Sequence, residues 1–110
     1  MKHEVEKHLL DVLEAAQDIL LFTDEMSFDG YTDDRLTKAA VERKFEIIGE
    51  ALNRINKESP DTLNSISESR KIIAFRNLII HGYDAVSDPI VWDVVQNKLH
   101  QLIEDVKMLI

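Results

Sequence analysis

Apolar residues recur at steps of three and four along most of the chain, and no run alternates as a strand would. From Lys2 to about Phe22, Val5, Leu9, Val12, Ala16, Ile19 and Leu20 fall on one helical face. The run TDEMSFDGYTD then breaks the pattern with Gly30 and several small polar residues, which predicts a loop. A second helix is expected from Asp33 or Asp34 to about Lys57, with Leu36, Ala40, Val41, Phe45, Ile48, Leu52 and Ile55 as its stripe. Gly49 sits inside that helix, where glycine costs about 1 kcal/mol relative to alanine, so a second helix is expected to pass close by. Pro60 disfavours the α region at Ser59 and is expected to end the element.

A third helix is predicted to start near Ser65 or Ser67, where a hydroxyl cap precedes an acidic first turn. It should end at His81, with Gly82 just beyond as the usual residue past a helix end. A fourth opens at Ser87 or Asp88 with Pro89 in its first turn. It carries Val91, Val94, Val95, Leu99, Leu102, Ile103, Val106 and Ile110, with Trp92 adding bulk. Four helices joined by short connections predict an all-α protein, an antiparallel four-helix bundle. The two longest suit either an elongated monomer or a surface for dimerisation.

Length and charge narrow this picture. With 110 residues, one domain over residues 1–110 is expected. Cysteine is absent, so there is no disulfide framework and no thiolate metal site. The N-terminal run has no apolar signal core, and no apolar run reaches the roughly 18 residues that cross a bilayer. A soluble cytoplasmic protein is the expectation. The net charge of −8 argues against broad adhesion to nucleic acid, though not against a small basic cleft on an acidic body. The cations do cluster, as Arg35 and Lys38, then Arg43 and Lys44, then Arg70, Lys71 and Arg76.

The candidate chemistry lies in AFRNLIIHGYD, residues 74–84. Arg76 and His81 are five residues apart, which in a regular helix is about 140° around the axis and about 7.5 Å along it. Asn77 and His81 share a face, so the amide could fix the imidazole tautomer. A histidine in the last turn is favoured as the cation by the helix dipole and disfavoured by a nearby arginine, which suits it to proton transfer near neutral pH. Arginine adds a planar fork of donors for a phosphate. Together they form a metal-free set for cleaving RNA, with histidine moving protons and arginine stabilising charge on the phosphoryl oxygens. The plainer alternative makes His81 a cap for terminal carbonyls and Tyr83 a loop anchor.

The string RNLIIHGY is similar to the Arg-x4-His-x-Tyr motif of the HEPN superfamily, in the form found in HepT toxins. LLDVLEAAQDIL resembles the first helix of that family, DRLTKAAVERKFEIIGEALNRI its second, and PIVWDVV the start of its fourth. The resemblance implies a homodimeric four-helix-bundle ribonuclease with no metal and no cofactor, and possible higher assembly with its antitoxin. It implies that Arg76 and His81 are catalytic, that Asn77 supports them, and that two copies of the motif share one cleft across the dimer. It further implies that Tyr83 accepts AMP from a partner nucleotidyltransferase antitoxin. A bulky anionic group there would block an RNA phosphate.

Other candidates carry less. Glu46 and Glu50 share a face of the second helix, and either could orient Arg76. His3 and His8, and the pair His100 and Glu104, suit exposed helix decoration better than a metal site. Two further functional readings stay open at this point. One is a noncatalytic module that binds a nucleotide or docks a nucleotidyltransferase; the other is a purely structural helical dimer.

Overall fold

The computed structural model describes residues 2–81 and 86–110, with the backbone alone at position 81. Among the described residues there are seven helices and no strand. They are α1 (His3–Phe22), α2 (Phe28–Asp33), α3 (Arg35–Glu58), α4 (Pro60–Asn64), α5 (Ser69–His81), α6 (Asp88–Asn97) and α7 (Leu99–Leu109). None is long and apolar enough to cross a membrane. The all-helical expectation holds, and the elements are more finely divided than the periodicity predicted.

Helix α3 is the centre of the packing, with α1 against one side and α5 against another, while α7 closes on α1. Two polar contacts give the sense of the packing between α1 and α3. His8 of α1 faces Glu58 of α3 at 3.8 Å, and Asp18 faces Lys44 at 2.9 Å. Numbers rise along one helix as they fall along the other, so α1 and α3 run antiparallel. Val5, Leu9, Val12, Ala16 and Ile19 from α1 meet Val41, Phe45, Ile48, Leu52 and Ile55 from α3 in one buried cluster. Phe75 of α5 lays its ring edge against Phe45, with centroids 5.1 Å apart.

Four local expectations are revised. TDEMSFDGYTD is not all loop. The Ser27 hydroxyl accepts from the Gly30 amide at 3.0 Å and opens α2, and Tyr31 is buried against Trp92 with ring centroids 5.2 Å apart. Leu36 does not belong to the α3 stripe, since it is 82% exposed. It lies about 140° around the axis from Val41, which turns it away from the buried face. Pro60 ends α3 and also begins α4, because a residue without an N–H is tolerated in a first helical turn. The third helix starts later than its serines suggested. Glu68 adopts a left-handed φ of 57°, so regular helix begins only at Ser69. Buried Ser69 donates its hydroxyl to the Leu63 carbonyl at 3.1 Å.

The predicted fourth helix is two helices. They part at Lys98, whose φ of −119° departs from the helical mean and whose Nζ reaches Glu68 Oε2 at 2.9 Å. Most of its apolar residues still face inward, with Val91, Val95, Leu99, Leu102, Ile103 and Val106 buried, but Ile110 lies past the end of α7 and is 48% exposed. Asp34 caps α3 as expected, accepting from the Thr37 amide at 3.0 Å and from its hydroxyl at 2.8 Å.

Candidate functional site

The glycine inside α3 has its reason in α5. A Cβ built on Gly49 would overlap Cβ and Cγ of Arg76 and stand 2.9 Å from its Cδ. The arginine stem therefore crosses α3 in the space a side chain would fill. Its head is then fixed at two points. Nη2 donates to Glu50 Oε2 at 2.9 Å, and Nη1 donates to the Asn77 side-chain oxygen at 2.9 Å. Arg76 keeps 21% of its side chain exposed, so a fixed, charged fork meets solvent at one edge.

The choice between Glu46 and Glu50 is resolved by register. Glu50 follows the glycine that admits Arg76 and reaches its guanidinium. Glu46 instead pairs with Arg43 at 3.1 Å. The second oxygen of Glu50 accepts from Arg54 Nε at 3.1 Å, so one carboxylate holds two guanidiniums. Asn77 spends its carbonyl oxygen on Arg76. His81 is the last residue of α5, and the contact of Asn77 with its imidazole lies outside the described residues. Tyr83 and Gly82 also lie outside them.

Beside Arg76 is a cleft of about 440 Å³, walled by α1, α3 and α5. Lys7, His8 and Asp11 come from α1, and Arg43, Glu46, Glu50 and Arg54 come from α3. Two of these carry weight that local sequence did not suggest. His8, set aside with His3 as terminal decoration, is only 13% exposed and turns toward Glu58. Arg54 shares the carboxylate of Glu50 with Arg76. Neither carries a signal of its own, because each matters only through a residue far along the chain. His3, His100 and Glu104 are exposed, and no group of metal-ligating residues occurs among the described residues. Trp92 packs on Tyr31 and Phe28, away from the cleft lining.

The chemistry open to this arrangement is recognition of an anion. A carboxylate on one terminal amino group and an amide on the other fix the plane of the guanidinium at the cleft, while its Nε is buried without a partner among the described residues. Such preorganised donors stabilise charge that develops on an oxyanion better than mobile ones do.

Comparison with known proteins agrees with this. The family described as ribonuclease HepT-like matches residues 12–109. The chain is 33% identical to "Putative RNase MJ0127" of Methanocaldococcus jannaschii, over 99% of this chain and 89% of that protein. It is 27% identical to "Putative RNase MJ1380" of the same organism, over 98% of each chain. It is 31% identical to "Probable ribonuclease HepT" of Thermococcus cleftensis, over 93% of this chain and 92% of that one. No solved structure matches. A match over this much of the length, with the arginine of its motif seated on α3, means that the chain belongs to the HepT-like ribonuclease family.

Proposed function

We propose that this protein is a metal-independent endoribonuclease and the toxin of a toxin–antitoxin pair, acting as a homodimer of one HEPN-like domain over residues 1–110. The observation that carries this reading is the Arg76 guanidinium held at the cleft edge by Glu50 and Asn77. Family membership and relatives named as RNases support it.

In this reading Arg76 and His81 are the catalytic residues, with Asn77 and Glu50 positioning the arginine. Two protomers bring their motifs to one cleft, so the arginine of one works with the histidine of the other. One His81 takes the proton of a ribose 2′-hydroxyl. The freed oxygen attacks the adjacent phosphorus, the bond to the 5′-oxygen breaks, and the proton held by that His81 passes to the leaving oxygen. The products are a 2′,3′-cyclic phosphate and a 5′-hydroxyl. Arg76 balances the charge that builds on the non-bridging oxygens.

Purified protein should cut RNA in EDTA, and Arg76→Ala and His81→Ala should each abolish cutting. Equal cleavage by all three proteins would remove the proposed site. Control of the toxin falls to Tyr83, which a nucleotidyltransferase antitoxin modifies with AMP. Its added negative charge, two residues along the chain from the histidine, excludes the substrate phosphate. Co-expression with such a partner should raise the intact mass by whole AMP units that map to Tyr83. An unchanged mass, or AMP on another residue, overturns this part.

A further inference from the structure

The cleft does not stop at Arg76. Arg43, Glu50 and Arg54 lie within about 40° of one another around α3, at seven- and four-residue steps. Along the axis this puts Arg43 about 10.5 Å before Glu50 and Arg54 about 6 Å beyond it. The guanidinium of Arg76 sits at Glu50, so three arginine heads follow one another along one wall. Lys7 of α1 stands in the facing wall.

The charge balance of this cleft reverses that of the chain. Its described lining has four cations, Lys7, Arg43, Arg54 and Arg76, against three carboxylates. The chain as a whole has 13 basic residues against 21 acidic ones. The carboxylates also leave the arginines with donors to spare. Arg54 bonds Glu50 through Nε, and both of its terminal amino groups lack partners among the described residues. Arg43 uses Nη1 on Glu46 and remains 69% exposed. Lys7 makes no ion pair among the described residues. Guanidinium groups held from behind, with free outer edges, suit successive phosphates of a backbone.

We propose that Arg43, Arg54 and Lys7 form a phosphate track that holds single-stranded RNA on both sides of the bond presented to Arg76. The proposal rests on the ribonuclease reading and extends it to how substrate is gripped. A single strand fits because in-line attack by a 2′-hydroxyl needs a nucleotide free to unstack. Among the described lining residues only His8 is aromatic, and it is 13% exposed and turned toward Glu58, so grip on the backbone with little base stacking is expected, and sequence preference must arise elsewhere.

The test uses full-length protein carrying His81→Ala, so that RNA is bound and not cut. Its affinity for a labelled oligouridylate is followed by fluorescence anisotropy across a potassium chloride series. Adding Arg43→Gln or Arg54→Gln should weaken binding and lower the slope of log affinity against log salt by about 0.7 each, the value for one phosphate on a single strand. Arg43→Lys should keep the slope, and Arg70→Gln, outside the cleft, should change nothing. With His81 intact, the two glutamine variants should raise KM at least threefold, with a smaller effect on kcat. Unchanged slopes and KM in both variants overturn the track, as does equal competition by a blunt RNA duplex. If wild type fails to cut RNA while these slope changes appear, the nuclease reading falls and the track stands. If wild type cuts while the slopes stay fixed, the reverse holds.

Discussion

At the scale of single residues, Gly49 is the condition for the arginine. Replacing it with alanine would raise helix propensity by about 1 kcal/mol. Against this stands a clash with Arg76 Cβ and Cγ, atoms tied to the α5 backbone that cannot rotate out of the way. Overpacking of this kind costs about 1–3 kcal/mol, so the clash is expected to win. Gly49→Ala should lower stability in urea denaturation and also reduce RNA cleavage, because α5 must retreat and carry its guanidinium away from Glu50. A stabilised variant with full activity would show that the two helices are not in contact there. Glu50 works differently, since it is half-buried and its pairs with Arg54 and Arg76 lie near solvent. Such pairs contribute little to stability, and the value of Glu50 lies in orientation.

At the scale of elements, the junction of α2, α3 and α6 has its own electrostatics. Lys38 of α3 reaches Asp88 of α6 at 2.9 Å and donates to the Thr32 carbonyl of α2 at 3.3 Å. Glu42, one turn along α3, has its carboxyl raised above the usual range. Burial is the main cause, with Asp88 and Glu46 adding to it and Lys38 opposing it. A carboxyl raised by folding holds its proton more tightly in the folded state. Its contribution is fully present below its unfolded pKa and is lost as pH rises through the folded value. At neutral pH the Glu42 charge therefore opposes folding. Glu42→Gln should raise the melting temperature at pH 7, by an amount worth less than about 1 kcal/mol for a group that stays partly solvated. Below about pH 4 the gain should vanish. A gain that persisted in acid would assign the effect to packing. Asp34 and Glu68 run the other way, lowered first by hydrogen bonds from the Thr37 amide and from Lys98. Their contributions are lost only as pH falls through those lowered values, so variant and wild type must be compared at each pH.

At the scale of the whole molecule, the proposal needs two copies. Arg76 and His81 lie about 140° apart around a helix, a poor arrangement for one phosphate within a single chain. Sharing across a two-fold axis removes the difficulty. Arg76→Ala and His81→Ala proteins, each inactive alone, should regain activity when mixed under conditions that exchange subunits. About half of randomly re-paired dimers are then mixed, and each unites one intact arginine with one intact histidine. Activity that stays absent after exchange, verified by native mass spectrometry, would place both groups in the same chain.

The long helices α1 and α3 were legible because their apolar period repeats through many turns and reports burial directly. α2 and α4 were not, since five or six residues span too few turns to show a period. The break at Lys98 was hidden for another reason. It accompanies a contact with Glu68, thirty residues away, and nothing local marks it. Sequence alone determined the helical class, most of the core and the string that carries Arg76, because these depend on spacing within one segment. Tertiary structure decided which glutamate holds that arginine, why α3 has a glycine there, and that Arg54 and His8 belong to the same cleft. Those facts depend on the register between helices, and register is set by packing that no single segment contains.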